Sequence, residues 1–143
     1  MTPGSGKSAP LLVDTSIAVA LSLVDHEHYA ITARRLGGHR LGLAGHAAFE
    51  TFSVLTRLPP PARKTPATVA RLLAQAFPET RYLGERAAAS LLTDLRAADI
   101  AGGAVYDALV GATAREHRLR LATRDRRALD VYRVLDVQVE LLD

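Results

Sequence analysis

The stretch Leu11-Leu12-Val13-Asp14-Thr15-Ser16-Ile17-Ala18-Val19-Ala20 changes character at Asp14. Before it stands a short unbroken apolar run, the pattern of a strand buried on both faces. After it, Asp14-Thr15-Ser16 offers the side-chain oxygens that cap free N–H groups at a helix start, and Ile17 to Val24 continues as that helix. A strand that hands over to a helix through an acid predicts one unit of an α/β fold.

The alternation repeats outward from there. A second helix is expected from about His26 to Leu36, stopped by Gly37-Gly38, and a second strand over Arg40 to Ala44. Gly45 precedes a helix to about Leu58, ended by Pro59-Pro60-Pro61. Pro66 suits the first turn of a helix to Phe77, which Pro78 closes. Arg81 to Leu83 reads as a third strand, followed by helices over Glu85 to Ala98 and Ala104 to His117, parted by Gly102-Gly103. Leu119 to Thr123 reads as the fourth strand, Arg126 to Leu135 as a helix, and Val137 to Leu142 as a last strand. Five short strands separated by helices predict a three-layer α/β/α sandwich around a five-stranded, mostly parallel sheet. Such sheets place their chemistry at the carboxyl ends of strands, here just after Val13, Ala44, Leu83 and Thr123.

Residues 1–9 are small and polar and are expected to form a flexible tail ahead of a single domain over residues 10–143. Gly6-Lys7-Ser8 within them matches only the end of a phosphate-binding loop. Met1 stands where the first glycine belongs, no strand precedes it, and Pro10 follows. A chain of 143 residues can bury one sizeable core without staples. Cysteine is absent, which excludes disulfide frameworks, Cys-ligated zinc, iron–sulfur clusters and thiol chemistry. No stretch approaches the ~18 apolar residues of a membrane span, and the N-terminus lacks the apolar core of a secretory signal. A soluble, cytoplasmic protein without a membrane partner is expected. The 18 Lys and Arg exceed the 15 Asp and Glu, and nearly all the bases are Arg, whose planar fork suits phosphate. That balance fits nucleic acid and fits a GC-rich coding sequence equally well.

Four acids stand where a carboxylate is costly. Asp14 ends the first strand, Glu50 lies mid-helix among apolar residues, Asp107 is the only charge between Asp99 and Arg115, and Asp125 follows the fourth strand. Each has a plainer reading. Asp14 and Asp125 also suit caps or turns, while Glu50 and Asp107 also suit a solvated face or pairing with Arg57 or Arg115. Taken together they suggest a shared cation, because a buried unpaired carboxylate costs several kcal/mol. With oxygen ligands, no Cys and no His at ligand spacing, Mg²⁺ or Mn²⁺ is favoured over zinc. Such an ion can activate water and neutralise charge on a phosphodiester. On Val110, Gly111 and Ala114, beside Asp107, another backbone has room to approach.

These segments carry a resemblance. Leu12-Val13-Asp14-Thr15-Ser16, the lone Glu50, Tyr106-Asp107-Ala108-Leu109 and Leu121-Ala122-Thr123-Arg124-Asp125-Arg126 together resemble a PIN-domain ribonuclease, nearest to the VapC-type toxins of bacterial toxin–antitoxin pairs. The resemblance spans Leu11 to Leu142. It implies an α/β/α sandwich with a five-stranded parallel sheet, with Asp14, Glu50, Asp107 and Asp125 as catalytic and metal-binding acids and Ser16 and Thr123 as polar helpers. It implies Mg²⁺- or Mn²⁺-dependent cleavage of RNA to a 5′-phosphate and a 3′-hydroxyl, inhibition of translation, a homodimer, and a cognate antitoxin. Arg124, Arg126 and Arg127 crowd Asp125 and are candidate contacts to RNA phosphate. If the four acids are engaged with cations, 18 bases face the remaining 11 acids, a protein charge of +7 rather than +3.

Rival α/β folds fit less well. A haloacid-dehalogenase-like phosphatase wants a second Asp where Ser16 stands, and a phosphorylation receiver wants a late Lys, yet none follows Lys64. The early antiparallel hairpin of an RNase H-like nuclease is not visible. A non-toxin RNA-processing nuclease and a catalytically silent RNA-binding or interaction module remain alternatives. Aromatics are only 5% with no Trp, so a base-stacking platform is not expected, and His26 and His28 read as surface residues at a helix start.

Overall fold

The computed structural model describes residues 8–143; Gly6 and Lys7 of the loop-like triplet, and most of the expected tail, lie outside the described residues. Four strands, β1 (Leu11–Val13), β2 (Leu41–Leu43), β3 (Leu121–Thr123) and β4 (Val139–Leu141), form one sheet in the order β2-β1-β3-β4. Every pairing is parallel, with Leu11 opposite Leu41, Leu12 opposite Leu121 and Leu121 opposite Val139. The helices are α1 (Thr15–Ser22), α2 (Tyr29–Leu36), α3 (His46–Thr56), α4 (Pro66–Ala76), α5 (Glu85–Ala97), α6 (Ala104–His117) and α7 (Leu129–Val134), the last preceded by a 3-10 turn over Arg126–Ala128.

Alternation along the strands divides the core between two faces. Leu12 and Leu121 join a cluster with Leu91, Ala108, Ala112 and Tyr132, from α5, α6 and α7. Leu11, Val13 and Ala122 point the other way, into Ile17, Ala18, Leu36 and Phe77. Both faces of the sheet are therefore covered by helices, as its unbroken apolar strands require. No helix of the described residues is long and apolar enough to cross a membrane.

The third of the expected strands, over Arg81 to Leu83, is not formed, and among the described residues the sheet has four strands, not five. Its segment runs along the edge of β2, where the Glu79 N–H donates to the Leu41 carbonyl at 3.0 Å and that of Arg81 to Leu43 at 3.1 Å. The bond that would continue the ladder, from the Leu43 N–H to the Glu79 carbonyl, is intercepted on both sides. The Thr80 hydroxyl takes the Leu43 N–H at 2.9 Å, and the Arg81 guanidinium takes the Glu79 carbonyl at 2.7 Å. What remains is a single parallel bridge between Ala44 and Arg81.

Two glycines shape what surrounds the strand ends. Gly45 turns β2 into α3 at φ +51°, and a Cβ there would lie 2.4 Å from the Thr113 hydroxyl oxygen. Gly111 leaves room on α6 for the Tyr132 ring, which a Cβ would meet at 2.9 Å. The close approach expected beside Asp107 is thus made by a side chain, not by a backbone.

Candidate active site

Asp14 is 4% exposed and serves two purposes with one carboxylate. As the N-cap of α1 it accepts the Ile17 N–H through Oδ1 at 3.3 Å. The same oxygen accepts the Ser16 hydroxyl at 2.6 Å. Its other oxygen accepts hydroxyls from Thr123, at the end of β3, and from Tyr132 in α7 at 3.2 Å. Burial pushes the Asp14 carboxyl above the usual carboxylate range, while the bonds from Ser16, Thr123, Ile17 and Tyr132 pull it back down. Ser16 and Thr123 also brace the neighbouring strand end, accepting the N–H groups of Arg124 and Asp125 at 2.9 Å.

Around Asp14 the four candidate acids line one cavity of about 270 Å³, together with Thr15, Ser16, Arg127 and Tyr132. The cavity opens at the carboxyl ends of β1 and β3, where a parallel sheet collects function. Thr15 donates its hydroxyl to Glu50 Oε1 at 2.9 Å and so ties α3 to α1. Asp125 caps the 3-10 turn, accepting the Arg127 N–H at 3.0 Å and the Arg127 guanidinium at 3.2–3.3 Å. The Asp107 carboxylate receives no hydrogen bond from the described residues. Burial first, and then the charges of Asp125, Glu50 and Asp14, push its carboxyl above the ordinary range, against a smaller opposing pull from Arg127. Neither suggested arginine partner is engaged here: Arg115 pairs with Asp94 at 3.0 Å, and Arg57 forms no ion pair among the described residues.

A cation would relieve the crowding of negative charge that raises Asp107. Among the described residues no three His, Asp or Glu side chains are close enough to grip an ion on their own. Mg²⁺ dehydrates reluctantly, keeps several waters and needs only one or two carboxylates, so it does not require such a grip. The donor set is all oxygen, with no histidine in the cavity wall.

Of the candidate phosphate contacts, Arg127 lies on Asp125 with its side chain 90% exposed, and Arg126 pairs with the Asp143 carboxylate. Arg124 forms no ion pair among the described residues and lines a second cavity beside Ser16, His26 and His28. His26 and His28 are half-buried at the start of α2, the ring of one accepting the N–H of the other at 3.1 Å. Tyr132 was not among the residues singled out in the sequence. Its burial and the charge of Asp14 hold its phenol protonated far above the ordinary range, so it acts on Asp14 only as a donor. A signal existed in Gly111, a mid-helix glycine that costs stability unless something packs against it.

A family model described as PIN domain matches residues 11–134. Ribonuclease VapC27 of Mycobacterium tuberculosis is 45% identical over 130 residues, covering 91% of this chain and 95% of that protein. Ribonuclease VapC40 of the same species is 44% identical over 131 residues, covering 90% and 96%. Among solved structures, VapBC2 from Rickettsia felis bound to a DNA fragment from its promoter superposes with a TM-score of 0.68. The match covers 94% of this chain and 100% of that one, at 14% identity, and is a likeness of fold.

Proposed function

The chain belongs to the PIN-domain family and is a VapC-type endoribonuclease, the toxin of a toxin–antitoxin pair, and we propose that it hydrolyses RNA with Mg²⁺ or Mn²⁺ held among Asp14, Glu50, Asp107 and Asp125. The observation that carries this reading is the convergence of four carboxylates, from four separated segments, on one cavity that leaves Asp107 uncompensated. When bound, the cation supplies Lewis acidity and neutralises the charge that builds on the phosphodiester. Ser16, Thr123 and Tyr132 orient Asp14, and the longer bonds from Ile17 and Tyr132 are the ones a ligand would displace first. Thr15 orients Glu50. Asp107, which receives no hydrogen bond from the described residues, gains most from a cation, and Arg127 answers either Asp125 or a phosphate from its exposed stem. Attack of a water oxygen on phosphorus breaks the bond to the 3′ oxygen, which leaves with a proton as a 3′-hydroxyl, and the phosphate stays on the 5′ side.

The cognate antitoxin, a second copy of this chain and the RNA are the proposed partners, in the cytoplasm, with translation as the process stopped. The occurrence of VapBC structures among the fold neighbours supports the antitoxin. Purified protein freed of any partner is expected to cut structured RNA with Mg²⁺ or Mn²⁺ and to stop on addition of EDTA. Asp14→Asn or Asp107→Asn is expected to lower the rate by at least about 100-fold while circular dichroism stays unchanged. A folded wild-type protein that cuts no RNA with either ion would instead favour a silent binding module.

A further inference from the structure

A third cavity, of about 430 Å³, adjoins the acid cavity and shares Thr15 and Glu50 with it as a common wall. It is built on one face of α3, where His46, Glu50 and Ser53, with Arg57 just beyond the helix, recur at helical spacing. Tyr106, next in sequence to Asp107, joins the lining from α6. The His46 and Tyr106 rings lie 5.0 Å apart at an interplanar angle of 19°, stacked on each other. Phe49 at the rim meets Tyr82 at 6.2 Å. Phe49, Tyr82 and Tyr106 are 64%, 56% and 51% exposed, so three of the seven Phe and Tyr residues spend their apolar area on this side of the molecule rather than in the core.

We propose that this cavity is a nucleobase subsite that stacks the base of a nucleotide adjoining the scissile phosphate on the His46–Tyr106 pair. The proposal rests on the ribonuclease reading of the acid cavity and adds to it how the substrate strand is held. Continuity carries the argument: an occupant of the aromatic cavity touches Thr15 and Glu50, the same residues that bound the acid cavity, so it lies one nucleotide or less from the chemistry. The volume falls in the range of small-molecule pockets, roughly 300–1,000 Å³. The chemistry matches a base, with a π surface on one side and a carboxylate, a hydroxyl and the unpaired Arg57 guanidinium to meet its polar edge. Low aromatic content argues against a platform for several bases, but one base needs only the open face of a single stack. An unpaired or splayed nucleotide is required, since a base inside a helix is already stacked.

The test starts from the cut site that the wild-type protein makes in RNA with Mn²⁺, reproduced in a synthetic oligonucleotide with the base deleted from either flanking nucleotide in turn. One deletion is expected to raise KM roughly 5- to 150-fold for the wild-type protein, the range for loss of one stacked base, with kcat much less affected. Tyr106→Ala should raise KM similarly on the intact oligonucleotide and add nothing on the deleted one, while Tyr106→Phe restores wild-type KM. His46→Ala, on the other half of the pair, repeats the comparison if Tyr106→Ala does not fold. Indifference to both deletions, or losses from variant and deletion that multiply, overturns the subsite. Wild-type cleavage by Tyr106→Ala also overturns it and leaves the cavity to a protein partner. No cleavage by the wild-type protein overturns the subsite together with the nuclease reading, and is thereby told apart from the other outcomes.

Discussion

Asp107 and Asp14 line the same cavity, yet protonation means different things to each. Asp107 has no hydrogen bond to lose and is raised by burial and by its acidic neighbours, so its ionised form costs the fold stability. A raised carboxyl stabilises below its ordinary range and loses that contribution as pH rises through the raised value. Asp107→Asn should therefore melt above the metal-free wild-type protein at pH 8, by about 2–4 °C for each kcal/mol relieved, with the difference vanishing at acid pH. Mg²⁺ should raise the melting temperature of the wild type more than that of the variant. Asp14 is raised by burial but held down by its four donors, and Tyr132→Phe removes one of them while keeping the ring against Gly111. Its carboxyl then rises further, and about 1.5 kcal/mol of stability, the lower end for a bond to a charged group, should be lost at pH 8 and recovered as Asp14 becomes protonated. Thermal melts of both variants across pH check the opposite signs. Asp14, Glu50 and Asp107 were legible in the sequence because each interrupts an apolar context, and Asp125 because it follows the end of a strand. Tyr132 was not, because an aromatic residue in a short helix carries no local sign of a partner 118 residues away.

At the scale of elements, β1, β2, α4, α5 and α6 follow closely from caps, prolines and periodicity, since those signals act within a few residues of where they are read. The Arg81 to Leu83 segment shows where local pattern stops deciding. Its backbone reaches the sheet edge, but side chains of Thr80 and Arg81 capture the ladder's partners, a competition that no strand propensity records. The same edge depends on Gly42, where a Cβ would stand 2.1 Å from the Glu79 carbonyl oxygen. Gly42→Ala must push residues 79–81 off β2. It is expected to cost about 1–3 kcal/mol in urea denaturation, with the amides of Glu79, Arg81 and Gly45 exchanging fastest relative to wild type. Unchanged protection at those three amides would mean that the edge accommodates the methyl by another route.

For the molecule as a whole, the formal charge of +3 says less than how the cations are employed. Arg40, Arg81, Arg115, Arg120, Arg126 and Arg133 all sit on carboxylates of the described residues, mostly at exposed positions where such pairs stabilise little. Arg57 and Arg124 pair with none, and each lines a cavity that shares Thr15 with the acid cavity. A polyanion at the acids thus has an uncommitted guanidinium in each of two neighbouring cavities, so the field that matters is local. Each phosphate contact to single-stranded RNA contributes about 0.7 to the slope of log affinity against log salt. Binding measured with the Asp14→Asn protein, to avoid cleavage, should show that slope reduced by about 0.7 in Arg124→Gln and little changed in Arg126→Gln, whose guanidinium is already committed to Asp143. Equal reductions from the two would mean that RNA responds to total charge and not to the groove, because both substitutions remove one positive charge and differ only in what the arginine faces.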